Sequence, residues 1–289
     1  MKNKRSATAV NYHLFEPCNM QCKYCFAQFK DVKRILPKGY LPKEDSIQII
    51  NQIADAGFSK ITFVGGEPTL CKWLPELIKH SKEKGLTTMV VTNGSLINEE
   101  WLQKTSSYLD WVGISIDSLN DDNNIKIGRY SAGKKVMRKE QYFKLFSLLK
   151  QYKIKAKINT VVTKYSYRED FSELINQAEP KRWKIFEPLA VEGQNDGKIE
   201  EVKPTNQQFN QFVKFHKSSV LNKDLIVSES NEEMTGSYLM IDPAGRFFDN
   251  TKGKHTYSDP ILKVGLQEAS KQVNFNYKQY LNRGGEYEW

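Results

Sequence analysis

The chain has 289 residues, 39% hydrophobic and 12% aromatic, with a formal net charge of +9. That length and apolar content exclude a disordered chain and suit one α/β barrel with a sizeable core. No apolar run reaches the roughly 18–20 residues of a bilayer span, and the first nine residues are polar and basic with no apolar signal core. The expectation is therefore a cytoplasmic protein without a membrane anchor. Its basic balance suits a polyanionic partner: nucleotide, nucleic acid or an anionic surface.

In chain order, strand and helix patterns alternate, which is the signature of a parallel α/β sheet. Strands are predicted at Ala9–Phe15, Lys60–Val64, Thr87–Thr92, Trp111–Ile116, Lys155–Val162 and Arg182–Pro188. Helices are predicted at Lys43–Ala56, Leu74–Lys84, Asn98–Ser106, Lys139–Tyr152 and Phe171–Ala178, with a Gly- and Asn-containing loop from the fourth strand through Gly133. Six β/α steps give a partial (β/α)6 barrel over 1–190. A C-terminal α+β extension over 191–289 follows within the same structural domain. It opens with a polar loop and an amphipathic helix, Asn206–Ser219. Short extended pieces come next, at Ile226–Ser228, Ser237–Ile241 and Arg246–Asn250.

Alternate residues of a strand face opposite sides. Val112, Ile114 and Ile116 share one face of the fourth strand, and Gly113, Ser115 and Asp117 the other. On the fifth, Ala156, Ile158, Thr160 and Val162 oppose Lys155, Lys157 and Asn159. The apolar faces pack on helices, so the polar faces turn into the barrel. Ordinary barrels fill that space with branched apolar residues, and unpaired charge there is costly. A polar interior implies a polar ligand.

The strongest motif is Cys18-Asn19-Met20-Gln21-Cys22-Lys23-Tyr24-Cys25-Phe26, a C-x3-C-x2-C spacing just after the first strand. Clustered cysteines in a reducing compartment bind metal or do redox chemistry. Three thiolates can ligate three irons of a cubane cluster and leave the fourth open, whereas electron-transfer ferredoxins use four cysteines per cluster. A three-cysteine zinc site completed by His13 is the competing reading of the spacing alone. The second motif, Gly65-Gly66-Glu67-Pro68, ends the second strand, where glycines let backbone approach a ligand closely. Lone Cys71 reads as a packing residue.

C-x3-C-x2-C with a following aromatic, together with the GGEP turn, resembles the radical S-adenosylmethionine superfamily. The resemblance implies a [4Fe–4S] cluster on Cys18, Cys22 and Cys25, with S-adenosylmethionine on the open iron. It places Phe26, Gly65, Gly66, Glu67, Asn93, Ser115, Asp117 and Arg129 around that cofactor. A narrower likeness is to the viperin family. It runs through Asn11-Tyr12-His13, Ile127-Gly128-Arg129, Lys157-Ile158-Asn159, Arg182-Trp183-Lys184, Glu192-Gly193, Ser237-Tyr238-Leu239 and Arg283-Gly284-Gly285. Viperins of vertebrates begin with a membrane-binding amphipathic helix, which this likeness does not carry over.

The viperin likeness implies an S-adenosylmethionine-dependent nucleotide dehydratase acting on CTP, UTP or GTP. The 5′-deoxyadenosyl radical takes the 4′-hydrogen; loss of the 3′-hydroxyl as water, with an electron and a proton, gives a 3′-deoxy-3′,4′-didehydro nucleotide. Such a product lacks the hydroxyl needed for chain extension, which suits antiviral defence. Asn11, Lys157, Asn159, Arg182, Lys184 and Arg283 are the expected nucleotide contacts, Arg283 on a glycine-rich tail. The residues agree independently, since the lysines and arginine form a cationic wall suited to a triphosphate. Tyr238, by itself a half-buried strand aromatic, is by resemblance the proton donor. Lys254 and His255 stand where the family often has a basic pair, and neutral His255 would bind phosphate weakly. The electron donor would be external, of flavodoxin or ferredoxin type. Direct nucleic-acid binding is not expected, for no second metal-ligand pair or aromatic RNA signature is present. A radical enzyme acting on a peptide or cofactor precursor, or a basic zinc protein binding nucleic acid, are the alternatives; the absence of cysteines after Cys71 disfavours the peptide-modifying one.

Overall fold

The computed structural model describes residues 8–289, and the polar segment 1–7 lies outside them. Six parallel strands run in sequence order: β1 (Ala9–Phe15), β2 (Lys60–Gly65), β3 (Thr87–Thr92), β4 (Trp111–Ser115), β5 (Lys155–Val161) and β6 (Arg182–Phe186). Helices α1 (Lys43–Asp55), α2 (Leu74–Glu83), α3 (Glu99–Thr105), α5 (Lys139–Gln151) and α6 (Ser172–Ala178) lie where the apolar spacing predicts them. Their starts follow local chemistry. Asn98 caps α3 by accepting from Trp101 N at 2.9 Å, and α1 carries Glu44 and Asp45 in its first turn. Such acids offset the positive end of the helix macrodipole.

Helix α4 (Asp121–Ile127) occupies the segment predicted as loop. Its run of Asp and Asn has no apolar period, and only Asn124 and Ile127 are buried. The ends carry the signal instead: Asn120 caps it at 3.0 Å from Asn123 N, and left-handed Gly128 closes it.

The extension does not stand apart from the barrel. Strand β7 (Ile226–Glu229) adds in parallel beyond β6, and β8 (Met240–Ile241) adds in parallel to the opposite edge beside β1. Antiparallel β9 (Arg246–Asp249) and β10 (Thr256–Pro260) complete one ten-stranded sheet in the order β10-β9-β8-β1-β2-β3-β4-β5-β6-β7. Only Met240–Ile241 of the predicted strand Ser237–Ile241 pairs, so Tyr238 sits in the preceding loop. Helix α7 (Asn206–Ser219) begins with a capping box at Thr205 and Gln208. Short helices α8 (Asn231–Met234), α9 (Ile261–Val264), α10 (Leu266–Lys271) and α11 (Tyr277–Asn282) were not expected from the pattern.

The two faces of the sheet differ as the alternation predicts. Val112, Ile114, Ile158, Trp183 and Ile185 are fully buried in the main core with Leu74, Leu77, Leu102, Leu149 and Phe171. Cys71 belongs to that core at 2% exposure. Thr160, buried on the apolar face, spends its hydroxyl on Ile116 O at 2.7 Å and accepts from Trp183 Nε1 at 2.9 Å. The opposite face carries Asn11, Lys60, Thr62, Ser115, Lys157, Asn159 and Lys184 into a cavity of about 350 Å³.

Candidate active site

At one end of that cavity lie Cys18, Cys22 and Cys25, on the loop that leaves β1. Three neighbours pin this loop. Glu67 N donates to Pro17 O at 2.9 Å, Gln21 N donates to Gly128 O at 3.1 Å, and Lys23 N donates to Ile127 O at 3.0 Å. Two of the contacts require glycine. A Cβ on Gly66 would stand 2.2 Å from Glu16 O and 2.3 Å from Pro17 O, and one on Gly128 would stand 2.2 Å from Gln21 O. The Gly-Gly-Glu and Ile-Gly-Arg motifs thus hold the backbone of the cysteine loop. The third neighbour is Asn93, whose Nδ2 donates to Asn19 Oδ1 at 2.8 Å.

Glu67 is buried and saturated. Its carboxylate accepts from Thr69 N (3.1 Å), Thr69 Oγ1 (2.5 Å), Thr92 Oγ1 (2.6 Å) and Asn93 N (2.8 Å). Asp117 is equally committed, accepting from Tyr24 Oη at 2.6 Å and Val161 N at 2.6 Å while pairing with Arg129 at 2.7 Å. Arg129 also donates to Ser115 O at 2.6 Å. It lies beside Cys22, and its charge opposes the rise that burial imposes on that thiol. Glu67, Asp117 and Arg129 thus commit their charge to protein partners at this end of the cavity, which Ser115 and Phe26 also line.

The donor set fits an iron–sulfur cluster. Burial pushes the Cys18 and Cys25 thiols up to about 12. Bare thiols in such a place keep their protons, whereas cluster irons supply the positive charge that stabilises thiolates. Among the described residues no three His, Cys, Asp or Glu side chains converge on one metal-ion position. Cubane thiolates each bind a separate iron and stand farther apart than ligands of one zinc. His13 packs edge-on against Phe26, Phe29 and Phe248, and burial lowers it to about 3.

At the other end the cavity is cationic. Lys157 and Lys184 line it together with Lys60 of β2, which the sequence reading passed over, and Arg182 lies near them without lining it. Burial pushes Lys60 and Lys184 down to about 7, and burial with Lys184 and Lys60 nearby drives Lys157 well below the ordinary lysine range. These cations repel one another in a desolvated wall. Buried Asn159 Oδ1, in the cavity lining, has no hydrogen-bond partner, which in a folded protein points to a missing polar ligand. Lys155 instead lies outside, exposed, over Trp111 at 5.2 Å.

The tail 283–289 covers this wall. Arg182 donates to Gly284 O at 2.7 Å, Lys60 donates to Tyr287 Oη at 2.7 Å, and the Trp289 ring centre lies 4.7 Å from Lys60 Nζ. Arg283 donates to Ser237 O at 2.8 Å and stacks over Tyr238 at 3.5 Å. Tyr238 faces the cavity, with its hydroxyl accepting from Lys184 at 3.1 Å and donating to Glu229. Glu229, wholly buried at the end of β7, also takes a hydrogen bond from Lys184 and lies 3.7 Å from Arg283. It too was missed; a glutamate ending a short strand has no local signature. Lys254 and His255 do not reach the cavity. His255 packs against Phe29 and Phe248, 3.2 Å from Tyr257 Oη.

The Radical SAM superfamily matches residues 12–178. An S-adenosylmethionine-dependent nucleotide dehydratase of Lacinutrix mariniflava is 52% identical over 97% of this chain, which spans 58% of that protein's length. One of Flammeovirga pacifica is 49% identical over 97% of the chain and 96% of its own length. The dehydratase RSAD2 of Danio rerio is 36% identical over 98% of the chain and 78% of its own length. In fold, native anSMEcpe with bound AdoMet and a peptide superposes with a TM-score of 0.70 at 16% identity, over 95% of this chain and 82% of that one. No described helix is long and apolar enough to cross a membrane. With its cysteine loop, glycine turn and cationic barrel interior, the chain belongs to the radical S-adenosylmethionine superfamily and, within it, to the viperin family of nucleotide dehydratases.

Proposed function

We propose that the chain is an S-adenosylmethionine-dependent nucleotide dehydratase that converts a ribonucleoside triphosphate to its 3′-deoxy-3′,4′-didehydro analogue. The observation that carries this reading is one cavity with three cysteines at one end and Lys60, Lys157 and Lys184 at the other. Bound together there, a [4Fe–4S] cluster and S-adenosylmethionine supply a 5′-deoxyadenosyl radical, chemistry that no side chain provides.

The chain's own residues do the rest. Cys18, Cys22 and Cys25 hold the cluster, and the backbone of Gly65 and Gly66, with Phe26, Asn93 and Ser115, shapes the adenosyl end. Glu67, Asp117 and Arg129 keep that end rigid. Lys60, Lys157, Arg182 and Lys184 bind the triphosphate, whose negative charge relieves their repulsion, and Asn11 and Asn159 contact the nucleoside. Tail residues 283–289, with Arg283 among them, exclude water. After the 4′-hydrogen atom is removed, the sugar needs one electron and one proton to lose its 3′-hydroxyl as water. The proton goes to the departing hydroxyl from Tyr238, and the electron comes from an external donor of flavodoxin or ferredoxin type. A truncated product that blocks chain extension fits an antiviral role in the cytoplasm.

Anaerobic turnover with CTP, UTP, GTP and ATP singly tests the reading. A triphosphate deuterated only at the 4′ carbon should pass its label into 5′-deoxyadenosine, alongside a nucleotide product lighter by one water. Unlabelled 5′-deoxyadenosine from a substrate that is turned over would remove the proposed chemistry.

A further inference from the structure

Glu229 places a carboxylate inside a wall built of cations, where a triphosphate of the same sign must bind. A residue serving only to bind phosphate would not be acidic. Its neighbours are Lys184 and Arg182 from β6, Lys157 from β5, Tyr238 from the loop before β8, and Arg283 after α11. Three of them reach it directly. Lys184 donates to its Oε1, Tyr238 donates to its Oε2, and Arg283 lies 3.7 Å from Oε1. Lys184 also donates to the Tyr238 oxygen at 3.1 Å. The three side chains thus close a hydrogen-bonded ring, with Tyr238 the member on the loop that enters the cavity.

We infer that Glu229 is a positioning residue that holds Lys184 and Tyr238 as a two-step proton relay to the substrate. This rests on the dehydratase reading above and assigns the source of its proton. Tyr238 gives its hydroxyl proton to the departing 3′-hydroxyl, so the C3′–O bond breaks and water forms. The external one-electron donor completes the C3′–C4′ double bond. The tyrosinate then takes a proton from the Lys184 ammonium, and neutral Lys184 regains one from solvent. The carboxylate serves both steps. It fixes the tyrosine hydroxyl within reach of Lys184, and it favours the charged form of Lys184 although Arg182, Arg283, Lys157 and Lys60 press the other way. Burial has already lowered Lys184 to about 7 with Glu229 beside it, so losing that opposite charge would push it lower still.

The measurement is nucleotide product formed per 5′-deoxyadenosine, across pH 6–9, with whichever of CTP, UTP, GTP and ATP the unaltered enzyme turns over fastest. Glu229→Gln keeps shape and hydrogen-bonding capacity but loses the charge. Its product ratio should fall about fivefold or more at pH 7.5, with the alkaline decline moved about one pH unit lower. Tyr238→Phe should show a similar ratio, and the double variant should be no worse than Tyr238→Phe alone. Glu229→Asp, which retains the charge, should recover much of the ratio. A Gln variant with the ratio and pH profile of the unaltered enzyme would overturn the inference, as would losses that add in the double variant. Should the Gln variant fail to hold its cluster, Lys184→Met decides: the relay predicts the lowered product ratio of Tyr238→Phe, and a ratio equal to that of the unaltered enzyme overturns it. Absence of dehydrated product from the unaltered enzyme on all four triphosphates would instead sink the dehydratase reading itself.

Discussion

Lys60 illustrates what a single residue can do in this fold. The residue is 3% exposed, and its ammonium donates to Tyr287 and lies 4.5 Å from that residue's ring centre. A charge held this far from water is stabilised by aromatic faces only in part. A bound phosphate would complete its solvation. Charge-assisted hydrogen bonds are worth about 1.5–3 kcal/mol. Lys60→Met is therefore expected to weaken triphosphate binding by about tenfold to a hundredfold, with S-adenosylmethionine affinity little altered; equilibrium binding of each ligand separately checks this. Equal losses for both ligands would mean that Lys60 supports the barrel rather than the nucleotide. The residues visible in the sequence were those with a motif or a strand partner on the same face, such as Lys157 with Asn159. Lys60 opens a strand whose next residues read as plain β, and nothing local says that it points inward.

At the scale of elements, the ends of β2 and β3 and the cysteine loop behave as one unit with Glu67 at its centre. Four hydrogen bonds converge on its carboxylate from Thr69, Thr92 and Asn93. Glu67→Ala would leave buried donors unpaired, at a cost of about 3 kcal/mol. For a chain of this size that lowers Tm by about 6–12 °C. Because Asn93 in turn holds Asn19, the same change should reduce iron and sulfide retained per chain, measured after anaerobic reconstitution. Full cluster content in a variant with the lowered Tm would separate the unit into two. In the barrel, six strands and five helices followed from apolar period and caps. Helix α4 did not, since Asp121, Asp122, Asn123 and Asn124 have no period, and the short helices of the tail are too brief to show one.

For the whole molecule, the depressed lysines tie nucleotide binding to pH. Lys60 and Lys184 ionise near 7 in the folded chain against an ordinary 10.5. A lysine whose pKa is lower folded than unfolded costs stability where it is charged. That cost is full below about pH 7 and fades as pH rises toward 10.5, so these groups make the ligand-free protein more stable from pH 7 to 9. A triphosphate removes the penalty by favouring the charged forms, and binding near pH 8 should take up about one to two protons. Calorimetry in buffers of different ionisation enthalpy measures this directly. Proton release at pH 8, or none, would show that these lysines do not meet the phosphates.

What the sequence determined by itself was the chemistry that is local in the chain: the three cysteines, the Gly-Gly-Glu turn, and the alternation that gives β5 an apolar face and a polar one. Each is set by neighbours a few residues apart, through strand period, backbone approach or ligand spacing. The tertiary structure decided which distant groups share charge. Closing the sheet into a partial barrel sets Lys60 of β2 near Lys157 and Lys184 of β5 and β6. Adding β7 beyond β6 brings Glu229 against Lys184, 45 residues away in the chain. It also decided that Asp117 and Arg129 pair with each other. Electrostatics and desolvation act through space, so the balance of cations and the carboxylate among them exists only once the barrel has curled around its cavity.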